Sequence, residues 1–66
     1  MITIELNGAP KSLPAPLSVA ALVAELKLPA ERIAVELNRD LLPRDRFVRE
    51  LADGDRLEIV TFVGGG

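Results

Sequence analysis

Only one stretch of this chain repeats its apolar residues at helical spacing. Val19, Leu22, Val23 and Leu26 fall at i, i+3, i+4 and i+7, on one stripe of a helix, with Ala20, Ala21, Ala24, Glu25 and Lys27 off it. Ser18 stands directly before them as an N-cap, a residue whose hydroxyl takes a backbone N–H of the first turn. Pro29 is expected to end the helix, because the residue before a proline avoids the α region. Elsewhere the apolar residues alternate with polar ones. With one amphipathic helix and several period-2 segments in 66 residues, the stripe has to lie across one face of a sheet. A domain of this size buries only about 60% of the surface its unfolded chain exposes, so that contact must supply the core. There is no cysteine and no histidine, which excludes disulfides and makes a structural zinc site implausible.

The strands read from their alternation. Ile2, Ile4 and Leu6 alternate with Thr3 and Glu5, and Asn7-Gly8 follows as a hairpin turn. Ala9 to Leu13 should return as a second strand, at a sheet edge because Pro10 has no N–H to give to a ladder. Pro14-Ala15-Pro16 forms a loop, and Leu28 to Arg32 connects the helix to the next strand. Ile33, Val35 and Leu37 alternate with Ala34, Glu36 and Asn38 as a third strand, and Leu41-Leu42 is a brief one before Pro43. Arg44 to Glu50 carries both signs of charge and reads as a solvated loop with Phe47 as its anchor. Ala52-Asp53-Gly54-Asp55 is a turn, and Arg56 to Phe62 is the last strand. On that strand Leu57 and Ile59 point one way, and Glu58, Val60 and Phe62 the other. The result is an α+β fold, a sheet of four to five strands with one helix across one face.

Composition excludes several classes of function. A net charge of −2 with only two aromatic residues is not the profile of a nucleic-acid binder. The longest uncharged stretch, Ser12 to Ala24, is too short and too mixed to span a bilayer, and the start of the chain lacks the pattern of a signal peptide. The expectation is a cytoplasmic protein with no membrane partner, monomeric when free. The hydroxyls are Thr3, Ser12, Ser18 and Thr61, with no histidine base to activate them. Asp53 and Asp55 flank a glycine and are better explained by turn formation than by metal binding or proton transfer. The expectation is a protein that is not itself an enzyme.

What remains is Gly64-Gly65-Gly66, directly after the last strand. Glycine has no side chain and reaches backbone conformations closed to other residues. The tail is expected to be a pliable rod that enters a narrow channel of another protein and presents the Gly66 carboxylate for chemistry. Val60 and Phe62, with Ala34 beside them, form a candidate docking patch next to the tail, because no second helix hides the far face of the sheet. The alternative is that Phe62 folds back onto the body and covers an edge of the core. The domain is read as residues 1–63, with 64–66 as a flexible tail.

The strand and helix order, the phrase Leu51-Ala52-Asp53-Gly54-Asp55-Arg56-Leu57-Glu58-Ile59-Val60 and a Gly-Gly end after Val63 resemble the β-grasp sulfur carriers of the ThiS/MoaD family. Asn7-Gly8, and Ala34-Val35-Glu36-Leu37-Asn38 ahead of Pro43-Arg44, match as well, and the short length favours the ThiS branch. The resemblance covers essentially the whole chain. It implies a ubiquitin-like β-grasp fold with a mixed sheet whose first and last strands are parallel neighbours. It also implies a sulfur carrier. A ThiF-like adenylyltransferase would use ATP and magnesium to adenylate Gly66. A sulfur donor such as a cysteine desulfurase would supply the sulfur of a thiocarboxylate, and a ThiG-like thiazole synthase would accept it for thiamin biosynthesis. Val60, Phe62, Val63, Gly64 and Gly65 would then contact partners, and this chain would bind no cofactor or metal of its own. A MoaD-like role in molybdopterin synthesis, or conjugation to proteins through Gly66, shares the same tail. A third glycine, where two suffice, would set the reactive end one residue further from the fold.

Overall fold

The computed structural model describes residues 1–62. Strands β1 (Ile2–Leu6) and β2 (Ala9–Leu13) precede helix α1 (Val19–Glu25), and β3 (Ile33–Leu37), β4 (Asp40–Leu42) and β5 (Arg56–Thr61) follow it. They form a five-stranded sheet in the order β2-β1-β5-β3-β4. β1 and β5 run parallel, and the other neighbours are antiparallel. This is the β-grasp arrangement, and the last strand to be made is the central one.

Two short turns set the register of the outer hairpins. Asn7 and Gly8 have φ of 50° and 85°, the positive pair that a two-residue turn between right-twisted strands requires. Pro10 lies on β2, at the sheet edge as expected. The second turn was not legible as one. Asn38 and Arg39 have φ of 52° and 75°, so β3 and β4 are joined by the same kind of turn with an arginine where glycine is preferred.

The helix is shorter than its stripe. Its end is set by Lys27, at φ 59°, and not by Pro29. The Lys27 N–H reaches the Ala24 carbonyl and the Leu28 N–H reaches Val23, which satisfies the last carbonyls and lets Leu28 pack back on the core. Pro29 comes after this closure, and a short 3₁₀ turn, Ala30–Arg32, fills the expected connector. At the other end Ser18 caps as expected, its Oγ accepting from Ala21 N–H at 3.0 Å. The Val19 and Ala20 N–H groups donate to the carbonyls of Arg49 and Phe47, both at 2.9 Å. The charged segment 44–50 is therefore more than a solvated loop. Phe47 is buried as its anchor, and its backbone supplies acceptors that the helix itself lacks.

The core lies between α1 and one face of the sheet. Val19, Leu22 and Val23 meet Ile4, Leu13, Ile33, Val35, Leu37, Leu57 and Ile59, with Phe47 and Leu51 in the same cluster. Leu57 and Ile59 are on this side, as the alternation of the last strand predicts.

Candidate functional site: the open face and the end of the central strand

Among the described residues, no element covers the face of the sheet away from the helix. Val60 and Phe62 stand on it, 58% and 57% exposed. Ala34 is the direct cross-strand partner of Val60, so the three candidate docking residues adjoin. Phe62 is not folded away. Its side chain stays open while its N–H donates to the Arg32 carbonyl at 2.7 Å, holding the chain to the sheet at the last described residue. Val63, Gly64, Gly65 and Gly66, the other residues assigned to partner contact and chemistry, lie outside the described residues.

Sequence reading missed a further part of this face. Glu36 lies directly between Leu41 on β4 and Glu58 on β5 in the register of the sheet. Leu41 is 70% exposed. Its place follows only once Asn38-Arg39 is recognised as a two-residue turn, because the register then puts Leu41 opposite Glu36 and on the open side.

Two asparagines hold β5 in place on both sides. Asn7 Oδ1 accepts from the Ile59 N–H at 2.8 Å, and Asn7 Nδ2 donates to the Ile59 carbonyl at 3.3 Å. The amide thus continues the β1 ladder beyond the point where the backbone has turned away. Asn38 does the equivalent from β3, accepting from the Arg56 N–H at 2.9 Å and donating to Asp55 Oδ1 at 3.1 Å. Neither role has a sequence signal beyond the turn-forming habit of asparagine.

The Asp-Gly-Asp turn is structural, as read. Asp53 Oδ1 accepts the Thr3 N–H at 2.7 Å, and the Gly54 N–H donates to the Thr3 carbonyl at 2.8 Å. Asp55 is buried and spends its carboxylate on Asn38 and on the Ala52 N–H at 2.8 Å. Gly54, at φ +87°, makes a bend that side chains disfavour. These bonds dock the turn on β1 and launch β5 parallel to it. Among the described residues no group of three or more acidic, cysteine or histidine side chains is placed to hold a metal ion. The ion pair between Arg56 Nε and Glu5 Oε1, 2.9 Å, is 41% and 45% exposed, and such a pair contributes about 0–1 kcal/mol. No helix of the described chain is long and apolar enough to cross a membrane.

The site is therefore a folded body with an open, partly apolar face and a central strand leading to a glycine tail. The chain matches the ThiS family over residues 4–66 and belongs to that family of sulfur carriers of thiamine biosynthesis; it is a carrier and not an enzyme. It is 46% identical over 66 residues to the uncharacterized protein ycf40 of Pyropia yezoensis, covering 98% of this chain and 93% of that one. It is 38% identical over 50 residues to the sulfur carrier protein ThiS of Bacillus subtilis, covering 74% of this chain and 76% of that one. A thiazole synthase of Paramagnetospirillum magneticum contains a stretch 39% identical over 62 residues, which covers 92% of this chain and 19% of that protein. The crystal structure of a thiamine biosynthesis protein (ThiS) from Geobacter metallireducens superposes with a TM-score of 0.83 at 36% identity, covering 98% of this chain and all of that one.

Proposed function

We propose that the Gly66 carboxylate is the working group of this carrier, and that residues 1–63 serve as the body by which enzymes hold it while residues 64–66 reach into their active sites. A carboxylate is a poor electrophile, because resonance spreads its charge over two oxygens. A ThiF-like adenylyltransferase joins it to AMP from magnesium-bound ATP, releasing pyrophosphate and creating a good leaving group. Hydrosulfide displaces AMP and leaves a thiocarboxylate directly. The outer sulfur of a persulfide, from a donor such as a cysteine desulfurase, displaces AMP to give an acyl disulfide. A thiol then cleaves it to the thiocarboxylate, as that thiol and the donor cysteine form a disulfide. A ThiG-like thiazole synthase takes that sulfur for the thiazole of thiamin. Side chains at 65 and 66 would crowd the carbonyl that the adenylating enzyme must approach, which is a steric reason for glycine there. Val60, Phe62, Val63, Gly64 and Gly65 make the contacts along the way.

One observation carries this reading: the family match runs through all three glycines to residue 66. The chemistry of the body is consistent with it, since the chain contains no histidine, cysteine or tyrosine and must rely on others for catalysis. The thiazole synthases that carry a stretch like this chain support that enzyme as a partner. The ThiS match likewise favours thiamin synthesis over a MoaD-like role or protein conjugation.

Incubation with the adenylyltransferase, ATP, magnesium and a sulfur source should raise the mass of the intact protein by about 16 Da, one oxygen replaced by sulfur. A variant with one alanine appended after Gly66, and shown to keep it, should gain nothing. Equal mass gain in both proteins would remove Gly66 as the reactive group.

A further inference from the structure

Asn7 is both a turn residue and a splint for the central strand, and the residue after it is the one least able to shield it. The Gly8 nitrogen has no β-carbon beside it, and nothing beyond its chain neighbours lies within 4 Å of where one would be. In a flexible chain such a nitrogen can reach the side-chain carbonyl carbon of the asparagine before it. In the fold the two are directed apart. The strand order β2-β1-β5 puts β2 and β5 on opposite sides of β1. At Gly8 the chain turns toward β2, whereas the Asn7 amide is directed at β5. Its Oδ1 accepts from the Ile59 N–H at 2.8 Å, and its Nδ2 donates to the Ile59 carbonyl at 3.3 Å.

We propose that Asn7-Gly8 is a site of spontaneous deamidation that the β1–β5 contact keeps shut, and that its product weakens the same contact. Asparagine is among the thermolabile residues, and the reaction needs only water. The Gly8 nitrogen bonds to Cγ of Asn7, the Cγ–Nδ2 bond breaks, and ammonia leaves with the proton of the Gly8 N–H. Water then opens the five-membered succinimide at one of its two carbonyls, to an aspartyl or an isoaspartyl linkage. Ring closure requires Cγ to turn from Ile59 toward Gly8, so both hydrogen bonds must break first. The reaction therefore proceeds from molecules in which β1 and β5 have separated, and its rate follows their population. An aspartyl carboxylate still accepts from the Ile59 N–H. It has lost the donor, and sets an oxygen against the Ile59 carbonyl where Nδ2 lies in the intact protein. An isoaspartyl linkage adds a backbone atom to a two-residue turn whose length fixes the hairpin register. Each opening that ends in reaction makes the next one easier, whatever the chemistry at Gly66.

Asn38 is the internal control. It holds the same turn position, at φ 52° against 50° for Asn7, and its amide is likewise bonded. The nitrogen that would attack it belongs to Arg39, whose β-carbon crowds the approach. Wild type is held in mildly alkaline buffer, folded in one arm and above its unfolding midpoint in denaturant in the other. The masses of the tryptic peptides Met1–Lys11 and Ile33–Arg39 are followed over time. The first should gain about 1 Da in denaturant, with an isoaspartyl fraction, and at least about tenfold more slowly in the folded protein. The second should gain nothing over the same period. Leu22→Ala, which opens more often, should react faster than wild type in native buffer. Asn7→Asp, the aspartyl product made directly, should melt a few degrees below wild type and exchange the Ile59 amide hydrogen faster. Should that variant not fold, the reacted fraction of wild type, separated by its added charge, gives the same comparison. Equal rates in the two arms, or a Leu22→Ala rate no faster than wild type, would overturn the protection. An equal gain at Asn38, or none at Asn7 in denaturant, would overturn the site. An unchanged melting temperature would overturn the weakening.

Discussion

The two faces of the sheet are made by the same strands and have opposite fates. On β5, Leu57 is fully buried and Ile59 nearly so, whereas Val60, between Ile59 and Thr61, is 58% exposed. Strand propensity does not distinguish them, since Ile and Val are equally at home in a sheet. The helix makes the difference, because it covers one side and, among the described residues, no second helix covers the other. Apolar residues on the covered side are there for stability, and those on the open side are exposed, where the proposed function places partner contacts. Substitutions on the two faces should therefore fail in different assays.

The largest effect belongs to the covered face. Leu22 is fully buried at the centre of the helix stripe, against the strands. Leu22→Ala should cost about 2–5 kcal/mol from lost transfer energy and the cavity left behind. A small domain has a total stability of only about 5 kcal/mol at the low end of the usual range, so a large unfolded fraction is expected in chemical denaturation. A loss below about 1 kcal/mol would mean that the core relaxes around the gap, and the contrast between faces would weaken.

A smaller effect, in another observable, belongs to the open face. Full burial of a phenylalanine side chain is worth about 1.5–3 kcal/mol, and Phe62 still has 57% of its surface to lose. Phe62→Asp removes that gain and adds a charge to be desolvated, so partner affinity should fall about tenfold or more. Its stability should stay within about 0.5 kcal/mol of wild type, as for surface substitutions generally. Equal affinity for the adenylyltransferase and the thiazole synthase would remove Phe62 from the docking surface. A matching loss of stability would mean that its contacts with the body matter more than its exposure suggests.

Much of this division was legible in the sequence, because period is a strong signal. The stripe Val19, Leu22, Val23 and Leu26 fixed the helix, and the alternation at 33–38 and 56–62 fixed which side of each strand is buried. The β1–β5 pairing, in contrast, followed only from family resemblance. It depends on contacts between residues about fifty positions apart, such as Asn7 with Ile59 and Thr3 with Asp53. Local pattern carries no information about such partners. The end of the helix was misplaced for a related reason. Pro29 is a visible stop, whereas the left-handed Lys27 that acts first looks like any surface lysine. The mixed-charge segment 44–50 read as surface because its work at the helix N-terminus is done by backbone carbonyls, which every residue has. The open face was half read. Val60 and Phe62 follow from strand parity, while the Glu36–Glu58 pairing requires the β3–β5 register and Leu41 the β3–β4 hairpin register.

That register comes from the turn with the least suitable residue, and changing it gives the smallest and most selective effect. At the first hairpin the second turn position is Gly8, with φ 85° and open space where a Cβ would be. At the second it is Arg39, with φ 75°. A side-chain-bearing residue in the left-handed region costs about 1–2 kcal/mol. Glycine escapes this but returns roughly 0.5–1 kcal/mol through its more mobile unfolded state. Arg39→Gly should therefore stabilise by about 0.5–1 kcal/mol and raise the melting temperature by a few degrees. Asn38 keeps its bonds to Arg56 and Asp55, and Leu41 and Glu36 keep their places, so partner affinity should not change. A gain in stability at constant affinity would show that the two faces respond independently. A melting temperature that falls would mean that the Arg39 side chain contributes more than its backbone strain costs. The natural residue would then be explained by contacts in the shallow hollow it lines with Asn38, Gly54 and Arg56.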